Sequence, residues 1–210
     1  MEQLSKQIAE KLLQIKAIKL EPANHFTWAS GWFSPIYCDN RKTLSYPEVR
    51  TFIKDSFVKT IKENFGDFDI IAGVATGAIA QGALVADALY KPFVYVRSQA
   101  KDHGMGNQIE GVVEKGQKVL VIEDLISTGG SSLSAVNALR NEDCDVIGMV
   151  AIFSYDFQKA IDSFKNANVN LITLSNYESL IESAVETGYV SESDLSLLKE
   201  WRLDPANWKK

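Results

Sequence analysis

Residues 119–131, VLVIEDLISTGGS, determine the fold expected for this chain. Four apolar residues at 119–122 predict a buried strand, and two adjacent carboxylates, Glu123 and Asp124, follow at its carboxyl end. The polar, glycine-containing segment that comes next leads into a helical pattern beginning at Ser131. This arrangement is typical of parallel sheets covered by helices, which bind ligands at the carboxyl ends of their strands.

The same alternation of short strands and helices extends along most of the chain. Strands are predicted at residues 70–74, 93–97, 118–122, 146–153 and 171–174, and helices at 78–90, 131–141 and 157–166. An N-terminal helix, a short strand at 34–39 and a helix at 46–64 come before them, and helical patterns near 177–186 and 193–201 follow. We therefore predict an α/β fold with a mostly parallel central sheet flanked by helices.

Composition argues against several classes of protein. The 210 residues carry a net charge of -5, which argues against a general nucleic-acid-binding protein. The longest apolar run, 146–153, is too short to cross a bilayer, so we expect a soluble, cytoplasmic protein with no membrane partner. The two cysteines, Cys38 and Cys144, fit neither a disulfide framework nor a zinc site by their spacing.

The segment after the 118–122 strand has the composition of an anion-binding site. Two glycines allow the backbone to approach an anion, and hydroxyls such as those of Ser127 and Thr128, with N–H groups at a helix N-terminus, bind phosphate. Glu123 and Asp124 suit ribose hydroxyls or a bound magnesium ion, and we expect both to be ionised. The alternative is a cluster of helix-capping residues beside two solvated acids. The lysine of a Walker-type loop and the glycine pattern of a dinucleotide site are both absent from this segment.

Together with three other segments, this stretch resembles the orotate branch of the type I phosphoribosyltransferases. Residues 119–131 are similar to the family's motif for 5-phosphoribosyl 1-diphosphate (PRPP), and 94–104, VYVRSQAKDHG, to its catalytic loop. Residues 26–37, FTWASGWFSPIY, are similar to its small N-terminal hood over orotate, and 73–77, GVATG, to its pyrophosphate loop. The resemblance implies that the ribose 5-phosphate of PRPP is transferred to orotate in pyrimidine (UMP) biosynthesis.

The resemblance also implies one phosphoribosyltransferase domain over residues 1–210. An N-terminal helix and the hood occupy about 1–65, the PRPP-binding core about 66–175 and C-terminal helices about 176–210. The implied cofactor is Mg2+, carried by PRPP rather than by a protein site of certain composition. The implied assembly is a homodimer with shared active sites, in which residues of the catalytic loop reach into the partner's site.

Individual residues receive roles through the same resemblance. The implied catalytic residues are Arg97, Lys101, His103 and Asp124. The implied PRPP contacts are Arg97, Lys101, His103, Thr76, Glu123, Asp124, Leu125, Ile126, Ser127, Thr128, Gly129, Gly130 and Ser131. The implied orotate contacts are Ser127, Phe33 and Ser34. We add Arg41 as the candidate partner of the orotate carboxylate, because a carboxylate favours a guanidinium.

Four features depart from the family pattern. Ser98 stands where many members have lysine, Phe33 where a basic residue is common, and Ala29 where some branches have lysine. The run 154–157 lacks an arginine that binds orotate in some members. Two alternatives remain open, namely another nucleobase phosphoribosyltransferase and a non-catalytic PRPP-binding regulator. The hood argues against the first alternative, and Lys101 and His103 argue against both.

Overall fold

A six-stranded sheet organises the molecule, of which the computed structural model describes residues 2–28, 30–98 and 108–209. The strands are β1 (Ile18–Leu20), β2 (Phe26–Thr27), β3 (Phe33–Ser34), β4 (Ile36–Cys38), β5 (Ile70–Val74), β6 (Phe93–Val96), β7 (Ile109–Glu110), β8 (Lys118–Ile126), β9 (Asp145–Ser154) and β10 (Leu171–Asn176). The helices are α1 (Glu2–Gln14), α2 (Pro47–Asn64), α3 (Ile79–Leu89), α4 (Gly130–Asn141), α5 (Gln158–Asn166), α6 (Tyr177–Glu186) and α7 (Leu195–Leu203), with 3-10 turns at Asn40–Ser45 and Glu192–Asp194. None of these helices is long and apolar enough to cross a membrane.

The strand order of the central sheet creates a crevice at its middle. The order is β10-β9-β8-β5-β6-β7, with every neighbouring pair parallel except β6 and β7. From β5 the chain moves through α3 to β6 on one side, whereas from β8 it moves through α4 to β9 on the other. Such a reversal leaves a ligand-sized opening at the carboxyl ends of the two strands. The predicted α/β class with a mostly parallel sheet is confirmed.

Side chains of β8 alternate between two apolar cores. Leu120 and Ile122 pack in the core that contains residues of α1, α2, α6 and α7, while Val119 and Val121 pack in the core beneath α4 and α5. Successive side chains of a strand point to opposite faces of the sheet. At the end of β8, this alternation sends Glu123 towards α4, where Ser132 meets it.

Two predicted strands differ from the observed ones. The strand expected at 118–122 continues to Ile126, because β9 is long enough to pair with it as far as Ser154. The strand expected at 34–39 is divided at Pro35, which lacks the N–H needed for a continuous ladder. Its two halves pair with different partners, since β3 pairs with β2 and β4 pairs with β1. The short edge strand β7, which pairs antiparallel with β6, has no counterpart among the predicted strands.

The region that contains β1–β4 is held against the rest of the fold by the C-terminal helices, and we call residues 18–38 the hood. Trp201 of α7 is buried, and its indole N–H donates to the carbonyl of Phe33 at 3.1 Å. The N-terminal helix is likewise joined to the C-terminal helices, because Ser5 of α1 donates a 2.8 Å hydrogen bond to Ser179 of α6. The larger apolar core takes side chains from the N-terminal, central and C-terminal segments alike. The proposed division of the single domain near residues 65 and 175 stays a prediction.

Candidate active site

A cavity of about 460 Å³ lies where the loops after β5 and β8 meet, and we call it the switch-point cavity. Its lining residues are Cys38, Asp39, Arg41, Val74, Ala75, Thr76, Gly77, Glu123, Asp124, Leu125, Ser127, Thr128, Gly129, Gly130 and Ser131. The cavity therefore occupies the place at which the strand order directs ligands to bind. Its walls are mainly polar loop residues and carboxylates.

One end of this cavity is built to hold an anion. Helix α4 begins at Gly130, immediately after Gly129, whose φ of 81° lies in the left-handed region. A side chain at Gly129 would also clash with its surroundings, because a Cβ there would lie 2.9 Å from the ring of Phe164. Unpaired N–H groups in the first turn of a helix and nearby hydroxyls, here of Ser127 and Ser131, bind phosphate. This end of the cavity is suited to a phosphate group.

The two acids at the end of β8 have different environments. Glu123 is buried, and its carboxyl accepts a 2.7 Å hydrogen bond from the Ser132 hydroxyl and a 2.8 Å bond from the Asp124 N–H. Burial, reinforced by the negative charge of Asp124, raises the pKa of Glu123 well above its usual range. The two hydrogen bonds that the carboxyl accepts oppose this shift. Asp124 is only half-buried.

The position of Asp124 is set by two residues that come from other parts of the chain. Gly77, in the loop after β5, lies so close that a Cβ at this position would be 2.6 Å from Asp124 Oδ1 and would overlap Oδ2. From the hood side, the buried Asn40 donates its side-chain N–H to the carbonyl of Asp124 at 2.6 Å. Asn40 in turn accepts a 3.3 Å hydrogen bond from the Cys38 thiol. Asp124 is therefore held between the 3-10 turn that follows the hood and the loop after β5.

A second cavity, of about 510 Å³, adjoins the first, and we call it the aromatic cavity. It is lined by Thr27, Trp28, Ser30, Trp32, Tyr37, Cys38, Leu125, Ser127, Thr128, Tyr155 and Lys159. The rings of Trp28 and Trp32 are nearly parallel, with centroids 6.4 Å apart and 19° between their planes. Aromatic walls of this kind bind flat rings by stacking. Cys38, Leu125, Ser127 and Thr128 line both cavities, so a ligand in one cavity adjoins a ligand in the other.

Comparisons with known proteins agree with this geometry. A family model described as the phosphoribosyl transferase domain matches residues 45–187. The orotate phosphoribosyltransferase of Phocaeicola vulgatus is 63% identical over 209 residues, which cover 100% of this chain and 99% of that protein.

The chain belongs to the orotate phosphoribosyltransferase family.

Two further comparisons extend this family assignment. The orotate phosphoribosyltransferase of Bacteroides thetaiotaomicron is 62% identical over 208 residues, covering 99% of this chain and 98% of the relative. The crystal structure of orotate phosphoribosyltransferase from Aeropyrum pernix matches with a TM-score of 0.76 and 26% identity, over 88% of this chain and 99% of that one. The orotate phosphoribosyltransferase fold is therefore shared by proteins whose sequences have diverged widely from this chain.

Most of the predicted PRPP contacts lie together in the switch-point cavity. Those that line it are Thr76, Glu123, Asp124, Leu125, Ser127, Thr128, Gly129, Gly130 and Ser131. Ile126 is different, because its side chain is buried and its carbonyl accepts the N–H of Tyr155. Arg97 lies at the end of β6, 3.7 Å from Glu110, and is not among the described residues that line either cavity. Lys101 and His103 lie outside the described residues.

The predicted orotate contacts are dispersed, and these roles stay predictions. Ser127 lines the aromatic cavity. Ser34 is fully buried, and its hydroxyl is engaged by the backbone of Ile36. Phe33 packs against His25, with ring centroids 4.5 Å apart, and neither Phe33 nor Ser34 is among the described residues lining the cavities. Arg41 lines the switch-point cavity instead, where it forms a 2.7 Å ion pair with Asp39.

Sequence reasoning did not single out several residues that the fold brings to the site. Trp28 and Trp32 lie in the hood segment, but no sequence feature indicated that either of them contacts a ligand. Tyr155 and Lys159 follow the carboxyl end of β9, so the rule that ligands bind at strand ends was a signal able to find them. Asn40 had no such signal, because its contact with Asp124 spans 84 residues of sequence.

Proposed function

We propose that this protein transfers the ribose 5-phosphate of PRPP to orotate, giving orotidine 5′-monophosphate and pyrophosphate. This reaction belongs to pyrimidine (UMP) biosynthesis. The proposal rests on one observation above all, namely that a phosphate-binding cavity with a carboxylate and an aromatic-walled cavity adjoin and share Ser127 and Thr128. A sugar phosphate in the first and a flat base in the second place the anomeric carbon and the attacking ring nitrogen side by side. Family membership supports the same pair of substrates.

The chemistry requires charge stabilisation and accurate placement. The bond between C1 of PRPP and its pyrophosphate breaks as the orotate nitrogen attacks from the opposite face, and positive charge develops at C1 and the ring oxygen. Asp124, whose position is set by Gly77 and Asn40, accepts hydrogen bonds from ribose hydroxyls and keeps the reacting atoms in line. The first turn of α4 holds the 5′-phosphate. The negative charge on pyrophosphate is met by Arg97, Lys101 and His103, the family-implied partners of this leaving group.

Mg2+ is the cofactor that fits this donor set. Magnesium is commonly bound through one or two carboxylates together with substrate phosphates and water. Within the described ranges, no group of three His, Cys, Asp or Glu side chains is placed to form a protein cage for a metal ion. Of the carboxylates at the cavity, Asp39 pairs with Arg41 and Glu123 is buried, so Asp124 is the one best placed to support an ion that arrives with PRPP. An ion bound to PRPP would supply positive charge against the pyrophosphate.

The reaction is tested with purified protein, PRPP, MgCl2 and orotate, following the loss of orotate by ultraviolet absorbance. We expect turnover only when all three are present, with orotidine 5′-monophosphate as product. Turnover of adenine or hypoxanthine without turnover of orotate would establish the first alternative, another nucleobase phosphoribosyltransferase. PRPP binding without turnover of any base would establish the second, a PRPP-binding regulator.

We further propose a homodimer in which the active site is shared. Arg97 lines neither cavity among the described residues, and the family resemblance implies that it contacts pyrophosphate in the active site of the partner subunit. The test mixes two separately inactive variants, Lys101→Ala and Asp124→Asn. Random reassortment makes about half of the dimers mixed, and half of the sites in those dimers are intact, so about a quarter of the wild-type activity is expected to return. Mixed dimers confirmed by mass spectrometry but lacking activity would exclude shared sites.

The cytoplasm is the compartment that we propose. Cys38 and Cys144 are both free thiols, which is typical of a reducing compartment. A fluorescent fusion and cell fractionation test this proposal, and recovery of the protein in a secreted or membrane fraction would contradict it.

A further inference from the structure

We propose that Lys159 is the specificity-determining residue of the aromatic cavity and that its ammonium group binds the carboxylate of the base. This inference rests on the proposed function, since it names the group that recognises the charged part of orotate. A free pyrimidine ring has flat faces and polar edges, whereas orotate adds a full negative charge. The protein therefore needs a positive charge at the cavity in which the base lies.

Charge at the aromatic cavity singles out Lys159. Among the described residues that line it, Lys159 alone carries a positive charge, and none of them is acidic. The remaining lining side chains are aromatic, aliphatic, hydroxyl-bearing or a thiol, and they stack on a ring or form neutral hydrogen bonds. An aromatic site with one cation and no anion is complementary to a flat ring that carries one carboxylate.

The position of Lys159 in the fold strengthens this complementarity. Lys159 lies in the first turn of α5, where the helix dipole adds a partial positive charge to that of the ammonium group. The turn before α5 is held by Arg202, which donates to the carbonyls of Tyr155 and Asp156 at 3.3 and 3.2 Å. The hydroxyl of Ser154 also accepts the Asp156 N–H at 2.9 Å. The start of the helix is thus anchored on both sides, while the exposed lysine side chain retains freedom to meet the ligand.

Arg41 is the other positively charged side chain near the aromatic cavity, but it lines the switch-point cavity. Its side chain lines the switch-point cavity, and its Nε lies 2.7 Å from Asp39. The pairing with Asp39 neutralises part of its charge and leaves it less able to bind a second carboxylate. Arg41 is accordingly expected to affect PRPP, whereas Lys159 is expected to affect the base.

The experiment compares Lys159→Met, which removes the charge and keeps most of the side-chain length, with Lys159→Arg, which keeps the charge. Lys165→Met is the matched control, since Lys165 is an exposed lysine near the far end of α5 and does not line the cavity. Steady-state kinetics give KM for orotate and for PRPP separately. Methyl orotate, in which the carboxylate is esterified and neutral, serves as a competitive inhibitor with respect to orotate. Circular dichroism and thermal melting confirm that each variant is folded.

We expect Lys159→Met to raise KM for orotate by about tenfold or more, as for loss of a charge-assisted hydrogen bond, with less than a twofold change in KM for PRPP. Its inhibition constant for methyl orotate is expected to stay within twofold of wild type, because that ligand has no charge to lose. Lys159→Arg should restore most of the affinity for orotate, and Lys165→Met should match wild type. Arg41→Met, measured in parallel, is expected to raise KM for PRPP, because it removes a positive charge from the switch-point cavity.

The possible failures are distinguishable. Wild-type protein that does not turn over orotate would remove the proposed function, and with it this inference. Wild-type turnover together with an unchanged KM for orotate in Lys159→Met would overturn the inference alone. Equal weakening of orotate and methyl orotate would also overturn it, because the effect would then be one of cavity shape rather than of charge.

Discussion

Replacement of Gly77 by alanine tests the idea that Asp124 is placed by close contact with the loop after β5. The added methyl group would lie 2.6 Å from Asp124 Oδ1 and would overlap Oδ2. Neither Gly77 nor its neighbours need change secondary structure, since the residue precedes α3 and its φ is not in the left-handed region. The substitution therefore acts mainly by displacing one carboxylate.

The size of the effect follows from the distance. An ordinary contact with a Cβ begins near 3.4 Å, so Asp124 Oδ1 must move by about 0.8 Å from its 2.6 Å position, and Oδ2, which overlaps the methyl group, must move farther. Turning a side chain away from its preferred rotamer costs about 0.5–1.5 kcal/mol, and a misplacement of about 1 Å at a reacting centre costs about 100-fold in rate. We expect kcat/KM for PRPP to fall between about tenfold and 100-fold, equivalent to about 1.4–2.7 kcal/mol of transition-state stabilisation.

The assay is steady-state turnover of orotate with PRPP varied, accompanied by circular dichroism and thermal melting. Gly66→Ala is the matched control, because a Cβ at that exposed glycine meets nothing within 4 Å and its φ is not in the left-handed region. We expect the control to retain wild-type kinetics, which separates the clash from a general effect of replacing glycine.

A double-mutant cycle with Asp124→Ala completes the test. If Gly77→Ala acts through the carboxylate, it should cause little additional loss, less than about threefold, once that carboxylate is gone. Wild-type kcat/KM in the folded Gly77→Ala protein would refute the claim that this contact positions Asp124. Fully additive losses in the cycle would show that alanine at 77 acts by another route.

Three further predictions concern the same site. Asn40→Ala leaves the carbonyl of Asp124 without its 2.6 Å partner, so urea unfolding should show a loss of about 1–3 kcal/mol, whereas Asn64→Ala, which removes a bond within one helix, should lose less. Glu123→Gln should be more stable than wild type near pH 7.5. The pKa of Glu123 is raised in the folded state, so the free energy of unfolding of the wild type falls as pH rises above about 4.3, the unfolded-state pKa of a glutamate. The slope is at most about 1.4 kcal/mol per pH unit. Unfolding at pH 4 and pH 7.5 checks this, and a difference that does not depend on pH would contradict it. Asp124→Asn should weaken PRPP binding while the protein stays folded, and unchanged KM and kcat would exclude Asp124 as a ribose contact.

The local sequence pattern was sufficient to predict the sheet and the polar, glycine-containing segment that leads into α4. The apolar runs before Glu123 and at 70–74, 93–97 and 146–153 predicted parallel strands because buried strands need side chains that are apolar on both faces. The acids and the segment after them line one cavity because sequence neighbours stay neighbours in space, and their binding roles stay predictions. The limits of that reasoning appear at Pro35 and Ile126, where strand ends depend on the length of the pairing partner as well as on composition.

The chain's own sequence thus determined the α/β class, the positions of most strands and helices, and the group of polar residues around Asp124 that lines the switch-point cavity. Only the tertiary structure decided that Asn40 binds the backbone carbonyl of Asp124 and that Gly77 lies against its carboxylate. Only the tertiary structure likewise decided that Lys159 lies at the aromatic cavity whereas Arg41 lines the other one. The physical reason is that these relations join parts of the chain separated by tens of residues. Periodicity and spacing describe contacts within one element, but strand order and the packing of the hood determine which separate elements meet.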